Sequence, residues 1–100
     1  NDMASATLFI LGLDKKTYLL HTKPMISHIN IGTGEDVSIS DLVGSIKEIV
    51  NFKGDINFDI SKPEGPVRKL TETSRLSKMG WTYNIKLEDG LRDTYAWYLS

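Results

Sequence analysis

One segment of this sequence concentrates groups able to hold an anion: Ser61-Lys62-Pro63-Glu64-Gly65-Pro66-Val67-Arg68-Lys69. It sets three cations, Lys62, Arg68 and Lys69, against one acid, Glu64. Two prolines and a glycine interrupt regular structure, so the segment reads as a loop that carries its basic groups away from a scaffold. A guanidinium at Arg68 can present a planar fork to two phosphate oxygens, whereas the ammonium of Lys69 acts as a point charge. A diphosphate or another anion suits that chemistry; a solvated loop is the plain alternative. Arg75 is a further cation nearby in sequence.

The other chemistry-bearing residues point away from catalysis. Gly32-Thr33-Gly34 invites comparison with a dinucleotide-binding loop, but the third glycine of that fingerprint falls at Val37, and no acid ends a second strand about 20 residues further on. It reads as a tight turn. A reductase that protonates a carbonyl through tyrosine needs a lysine four residues later to lower the phenol pKa. Thr22, Leu87 and Leu99 stand four residues after Tyr18, Tyr83 and Tyr95, and Tyr98 lies too close to the end. There is no cysteine, which excludes disulfides, thiolate metal sites and thiol nucleophiles. His21 and His28 have no partner at metal-ligand spacing. Asp55 and Asp59 share the polar face of one strand, and Trp81, Trp97, Tyr95 and Tyr98 fall at packing and capping positions. No catalytic residue, cofactor-binding residue or metal ligand is assigned.

Composition narrows the remaining classes. One hundred residues make one small domain, or a piece of one. A net charge of −1 argues against a nucleic-acid-coating protein. No apolar run approaches the ~20 residues that span a bilayer, and Ala6 to Leu13 lacks the basic flank of a signal peptide. A cytoplasmic location is the expectation. The chain opens on Asn1-Asp2 and passes directly into an apolar segment, which suggests part of something longer.

The elements that must carry the loop alternate helix, strand, helix, strand, helix, helix, an α/β pattern. Asp2 caps a helix from Met3 to about Leu13, apolar around much of its circumference and ended by Asp14-Lys15-Lys16. Tyr18-Leu19-Leu20 is ambiguous. His28 to Gly32 reads as a strand with Ile29 and Ile31 on one face. Ser38, with Asp41 three residues on, starts an amphipathic helix to about Val50, and Lys53-Gly54 supplies the exit turn. Ile56, Phe58 and Ile60 alternate with acids and amides as a half-buried strand. After the basic loop, Thr73 or Ser74 caps a short helix to Met79. Gly80 ends it in a left-handed conformation, and Trp81 folds back. A last helix covers Leu87 to Leu99.

One order of residues brings these readings together. His28-Ile29-Asn30-Ile31-Gly32-Thr33-Gly34 precedes Ser40-Asp41-Leu42, then Lys62-Pro63-Glu64-Gly65 with Arg68-Lys69-Leu70, then Leu76 through Gly80-Trp81. Leu87-Glu88-Asp89-Gly90-Leu91 with Thr94, Tyr95 and Trp97 follows. Along essentially the whole chain this resembles the C-terminal part of the GDP-L-fucose synthase branch of the extended short-chain dehydrogenase/reductase family. The lysine-proline-acid-glycine loop with its arginine-lysine pair is the more specific motif; the glycine-tryptophan piece is shared widely among nucleotide-sugar epimerases.

The resemblance implies a small substrate-domain fragment, residues 1–100, without a complete Rossmann domain. It implies a parent that epimerises and reduces a keto-sugar nucleotide with NADPH, whose N-terminal domain binds the cofactor and carries the catalytic residues. Glu64, Lys69 and Arg68 would be substrate-binding, with Lys69 near the diphosphate, Glu64 near the nucleoside end and Arg68 contacting substrate or orienting the loop. Pro66-Val67 departs from the small-residue-proline pair usual there. A sibling enzyme acting on another GDP-sugar, or a free-standing interaction module docking through its first helix, remain the alternatives.

Overall fold

The computed structural model describes residues 1–63, 65 and 70–100. Its helices are α1 (Asp2–Leu11), α2 (Lys15–His21), α3 (Ile39–Ile49), α4 (Ser74–Met79) and α5 (Leu87–Leu99). The only strand pairing among the described residues is an isolated bridge between Lys23 and Ile26. The chain divides into two compact units, Asn1–Glu35 with Leu70–Asn84, and Asp36–Lys69 with Ile85–Ser100.

In the first unit the helix expected to reach about Leu13 ends slightly earlier, and the ambiguous segment after it forms a second helix. α1 stops at Leu11, with Gly12 amide bonded back to Leu8 and Phe9 carbonyls. Asp14 does not end that helix; it begins the next. Its carboxylate accepts from Thr17 N–H (2.8 Å) and Thr17 Oγ1 (2.9 Å), a side-chain N-cap that places Tyr18-Leu19-Leu20 in α2. These bonds favour the charged carboxylate and hold the Asp14 pKa below its ordinary value. Asp2 is not the cap of α1 either. It is the first helical residue, and its carboxylate accepts from Asn84 N–H (3.0 Å).

Ala6, Leu76 and Trp81 form the core of this unit, with Phe9, Ile10, Ile29, Ile31 and Tyr83 packed half-buried around them. α2 packs against α4. Gly80, at φ +107°, ends α4, and Trp81 N–H reaches back to Leu76 C=O (3.4 Å). Trp81 thus returns over the helix as the spacing predicts, and its Nε1–H donates to Ser5 Oγ (3.2 Å). α1 buries only one side: Met3, Leu8 and Leu11 are exposed.

In the second unit α3 and α5 pack together. Ser38 Oγ accepts from Asp41 N–H (3.0 Å) and donates to its carboxylate (2.6 Å), as the spacing of the two residues predicts. The exit of α3 comes earlier than Lys53-Gly54. Asn51 takes the left-handed conformation (φ +55°), its N–H bonding Glu48 C=O and Phe52 N–H bonding Lys47 C=O. Asparagine is among the few residues other than glycine that adopt this conformation readily.

Neither expected strand forms a ladder among the described residues. A strand is stabilised by pairing, and alternation alone supplies no partner. The face assignment of the first holds, since Ile29 and Ile31 both lean on the core. In the second, Phe58 and Ile60 are exposed.

Candidate functional site

The anion-binding candidates Glu64, Arg68 and Lys69 lie outside the described residues. Around them, Lys62 and Gly65 are exposed. The start of the loop is shaped by Asp59, whose Oδ1 accepts from Ser61 Oγ (2.5 Å) and Ser61 N–H (2.9 Å). Those bonds, the hydroxyl first, lower the Asp59 pKa. Asp59 therefore does more than face solvent from a strand, because it closes the turn that leads into the basic segment.

Beyond the loop, the segment from Leu70 onward enters the first unit and walls an open cleft of about 400 Å³. Gly32, Thr33 and Gly34 form one side, and Leu70 to Ser74 with Leu76, Ser77 and Trp81 to Tyr83 form the rest. The glycines allow close approach. A Cβ at Gly32 would stand 3.2 Å from the Thr73 methyl, and one at Gly34, where φ is +79°, would stand 3.0 Å from Thr73 Oγ1. The Gly-Thr-Gly turn is thus packed against threonine side chains.

Two polar side chains hold the wall. Asn30 Nδ2 donates to Glu72 C=O (3.1 Å), and Arg75 Nη1 donates to the carbonyls of His28 (2.6 Å) and Ile26 (3.3 Å). Arg75, a nearby cation in sequence, is thus committed to backbone. Thr73 is the N-cap residue of α4, one of the two expected, but its side chain makes no cap hydrogen bond; Glu72 Oε1 accepts from Ser74 N–H (2.7 Å) instead. Hydrogen bonds from Ser74, reinforced by Arg75 and Lys78, depress the Glu72 pKa. Tyr83 O–H donates to Glu35 Oε1 (2.7 Å), which raises the phenol pKa. The cleft offers hydroxyls and backbone groups, suited to binding. No group of three or more histidine and acidic side chains able to hold a metal occurs among the described residues. None of their helices is long and apolar enough to cross a membrane.

Thr71, Thr73, Ser77 and Thr82 were invisible as cleft residues in the sequence, since isolated hydroxyls carry no spacing signal. Asn30 lay on the polar face of its segment and gave a readable but unspecific cue.

No family model matches the chain. Among curated proteins, GDP-L-fucose synthase of Escherichia coli is 46% identical over 99 residues, covering 99% of this chain and 31% of that protein. GDP-L-fucose synthase 1 of Arabidopsis thaliana is 43% identical over 86 residues, 27% of its length. Among solved structures, a GDP-D-glycero-L-gluco-heptose synthase from Campylobacter jejuni, crystallised in the presence of NADPH, superposes with a TM-score of 0.84. It is 32% identical, with 99% of this chain and 28% of that one covered. The fold is that of the C-terminal part of an extended short-chain dehydrogenase/reductase. The resemblance to GDP-L-fucose synthase read from the motifs is thereby borne out at the level of sequence and fold. The chain spans about a third of the length of the GDP-L-fucose synthase of Escherichia coli and somewhat less of the one from Arabidopsis.

Proposed function

We propose that this chain is the GDP-sugar-binding C-terminal part of a cytoplasmic, NADPH-dependent GDP-L-fucose synthase, an epimerase-reductase, and is not catalytic by itself. The observation that carries this reading is the 46% identity to the Escherichia coli synthase along 99 residues. In this reading Lys69 binds the diphosphate and Glu64 the nucleoside end, while Arg68 binds substrate or orients the loop. The partner is the N-terminal Rossmann domain, which binds NADPH and supplies the catalytic groups.

The Gly32-Thr33-Gly34 turn does not fit a dinucleotide-binding loop. Val37 replaces the third glycine. Gly32 and Gly34 lie against Thr73, and five residues pass after Thr33 before α3 begins at Ile39. A pyrophosphate needs a glycine loop that stands clear and opens directly into a helix.

A second reading, the C-terminal part of a related epimerase/reductase acting on another GDP-sugar such as a heptose derivative, is favoured by the Campylobacter jejuni structure. Both readings share the GDP moiety, so GDP is the first probe. Titration of the isotopically labelled chain with GDP is expected to give saturable amide shifts between Glu64 and Leu70, with none from NADP. Lys69→Ala is expected to weaken them. A well-dispersed spectrum indifferent to GDP overturns the reading and favours an interaction module.

A further inference from the structure

The cleft of the first unit differs in chemistry from the basic loop. Its volume of about 400 Å³ falls within the ~300–1,000 Å³ of small-molecule sites. Part of its lining is apolar and firmly placed: Leu76 and Trp81 both belong to the buried core. Beside them stand the hydroxyls of Thr71, Thr73, Ser77 and Thr82, and no other described residue hydrogen-bonds any of the four. Thr71, Ser77 and Thr82 are exposed and Thr73 is half-buried, so these groups are open to a ligand. Each hydroxyl can donate one hydrogen bond and accept two. Among the lining residues only Glu72 is charged, and it is an acid. Arg75, further along the same segment, is committed to the carbonyls of Ile26 and His28. A phosphate entering this cleft would meet a carboxylate and no cation in its lining.

We propose that the cleft is a binding site in its own right, for an uncharged ring-shaped polyol of the monosaccharide class. Such a ring carries hydroxyls that both donate and accept, together with an apolar C–H face. The four hydroxyls pair with the first, and the Leu76 and Trp81 side chains cover the second. On the other side Gly32 and Gly34 present no side chain, so the ring can come against backbone. Every group the inference uses lies in the first unit. The inference goes beyond the proposed function and does not depend on the reading of Lys69 as a diphosphate contact.

The test titrates the isotopically labelled chain with D-glucose, D-mannose and L-fucose, with glycerol and inorganic phosphate as controls. The readouts are the amides of Thr73, Ser77 and Thr82 and the indole N–H of Trp81. Saturable shifts there are expected with at least one monosaccharide, and none with glycerol at equal concentration or with phosphate. Ser77→Ala and Thr82→Val each remove one hydroxyl from the cleft. Each is expected to weaken that sugar roughly two- to tenfold, the worth of one net hydrogen bond. Far-ultraviolet circular dichroism and thermal midpoint report the fold of both variants, and either serves if the other unfolds. No saturable shift with any of the three sugars overturns the inference. So do equal shifts with glycerol, a saturable response to phosphate, or unchanged affinity in the folded variants. GDP is read separately between Glu64 and Leu70, so failure at the cleft leaves the proposed function standing, and failure of GDP leaves the cleft.

Discussion

Leu76→Ala tests the core of the first unit. Leu76 is 1% exposed at the centre of a six-residue helix, between Ala6 and Trp81. A helix that short has no stability in isolation, so α4 exists because Leu76 anchors it. Removing the isobutyl group loses its transfer free energy and leaves a cavity, which together cost ~2–5 kcal/mol in buried sites. The half-buried ring around this core, Phe9, Ile10, Ile29, Ile31 and Tyr83, has room to relax inward. The expected cost therefore falls at the lower end, about 2–3 kcal/mol, or roughly 30- to 150-fold in the folding equilibrium. At ~4–8 °C per kcal/mol for a domain of this size, the thermal midpoint drops by roughly 10–20 °C. Urea unfolding followed by tryptophan fluorescence reads it, since Trp81 is buried and Trp97, 77% exposed, contributes a solvent-like background. Leu8→Ala, on the exposed side of α1, is the control and should stay within about 0.5 kcal/mol. A Leu76→Ala cost under about 1 kcal/mol, or equal costs at both positions, would refute this account of the core.

Gly80→Ala isolates a backbone effect. Nothing lies within 4 Å of a Cβ there, so the cost is that of φ +107° in an L-residue, about 1–2 kcal/mol by urea unfolding. Acid should destabilise both units. Asp14, Asp59 and Glu72 all have folded pKa values depressed by hydrogen bonds, so their contribution is complete above the ordinary carboxylate range. It is lost as pH falls below that range through each depressed value. A pH series of urea midpoints checks the direction; midpoints that rise on acidification would contradict it.

Much of this protein follows from local order in the chain. The Ser38-Asp41 cap, the apolar stripe of α3, the Gly80 terminus and the return of Trp81 each depend on groups within a few residues of one another. Such interactions are present in any arrangement of the rest, so spacing reveals them. The motif order around Lys62-Pro63-Glu64-Gly65 and Arg68-Lys69 similarly marked the family, because it is a property of the sequence itself.

What spacing could not supply was competition between partners. Asp14 could equally end one helix or begin another, and only Thr17's two bonds decide. Thr73 holds the N-cap position of α4, yet it is the Glu72 carboxylate that reaches the Ser74 amide. Arg75 looked like part of a basic cluster until the carbonyls of Ile26 and His28, nearly fifty residues away, claimed it. The alternation at 28–32 correctly picked its buried face, yet its hydrogen-bonding neighbour is a side-chain staple from Asn30 to Glu72, forty-two positions apart. Local geometry fixes caps and stripes because loop closure costs little over three or four residues. Which distant groups satisfy a cation, a carbonyl or a cleft wall is decided only when the chain has closed on itself.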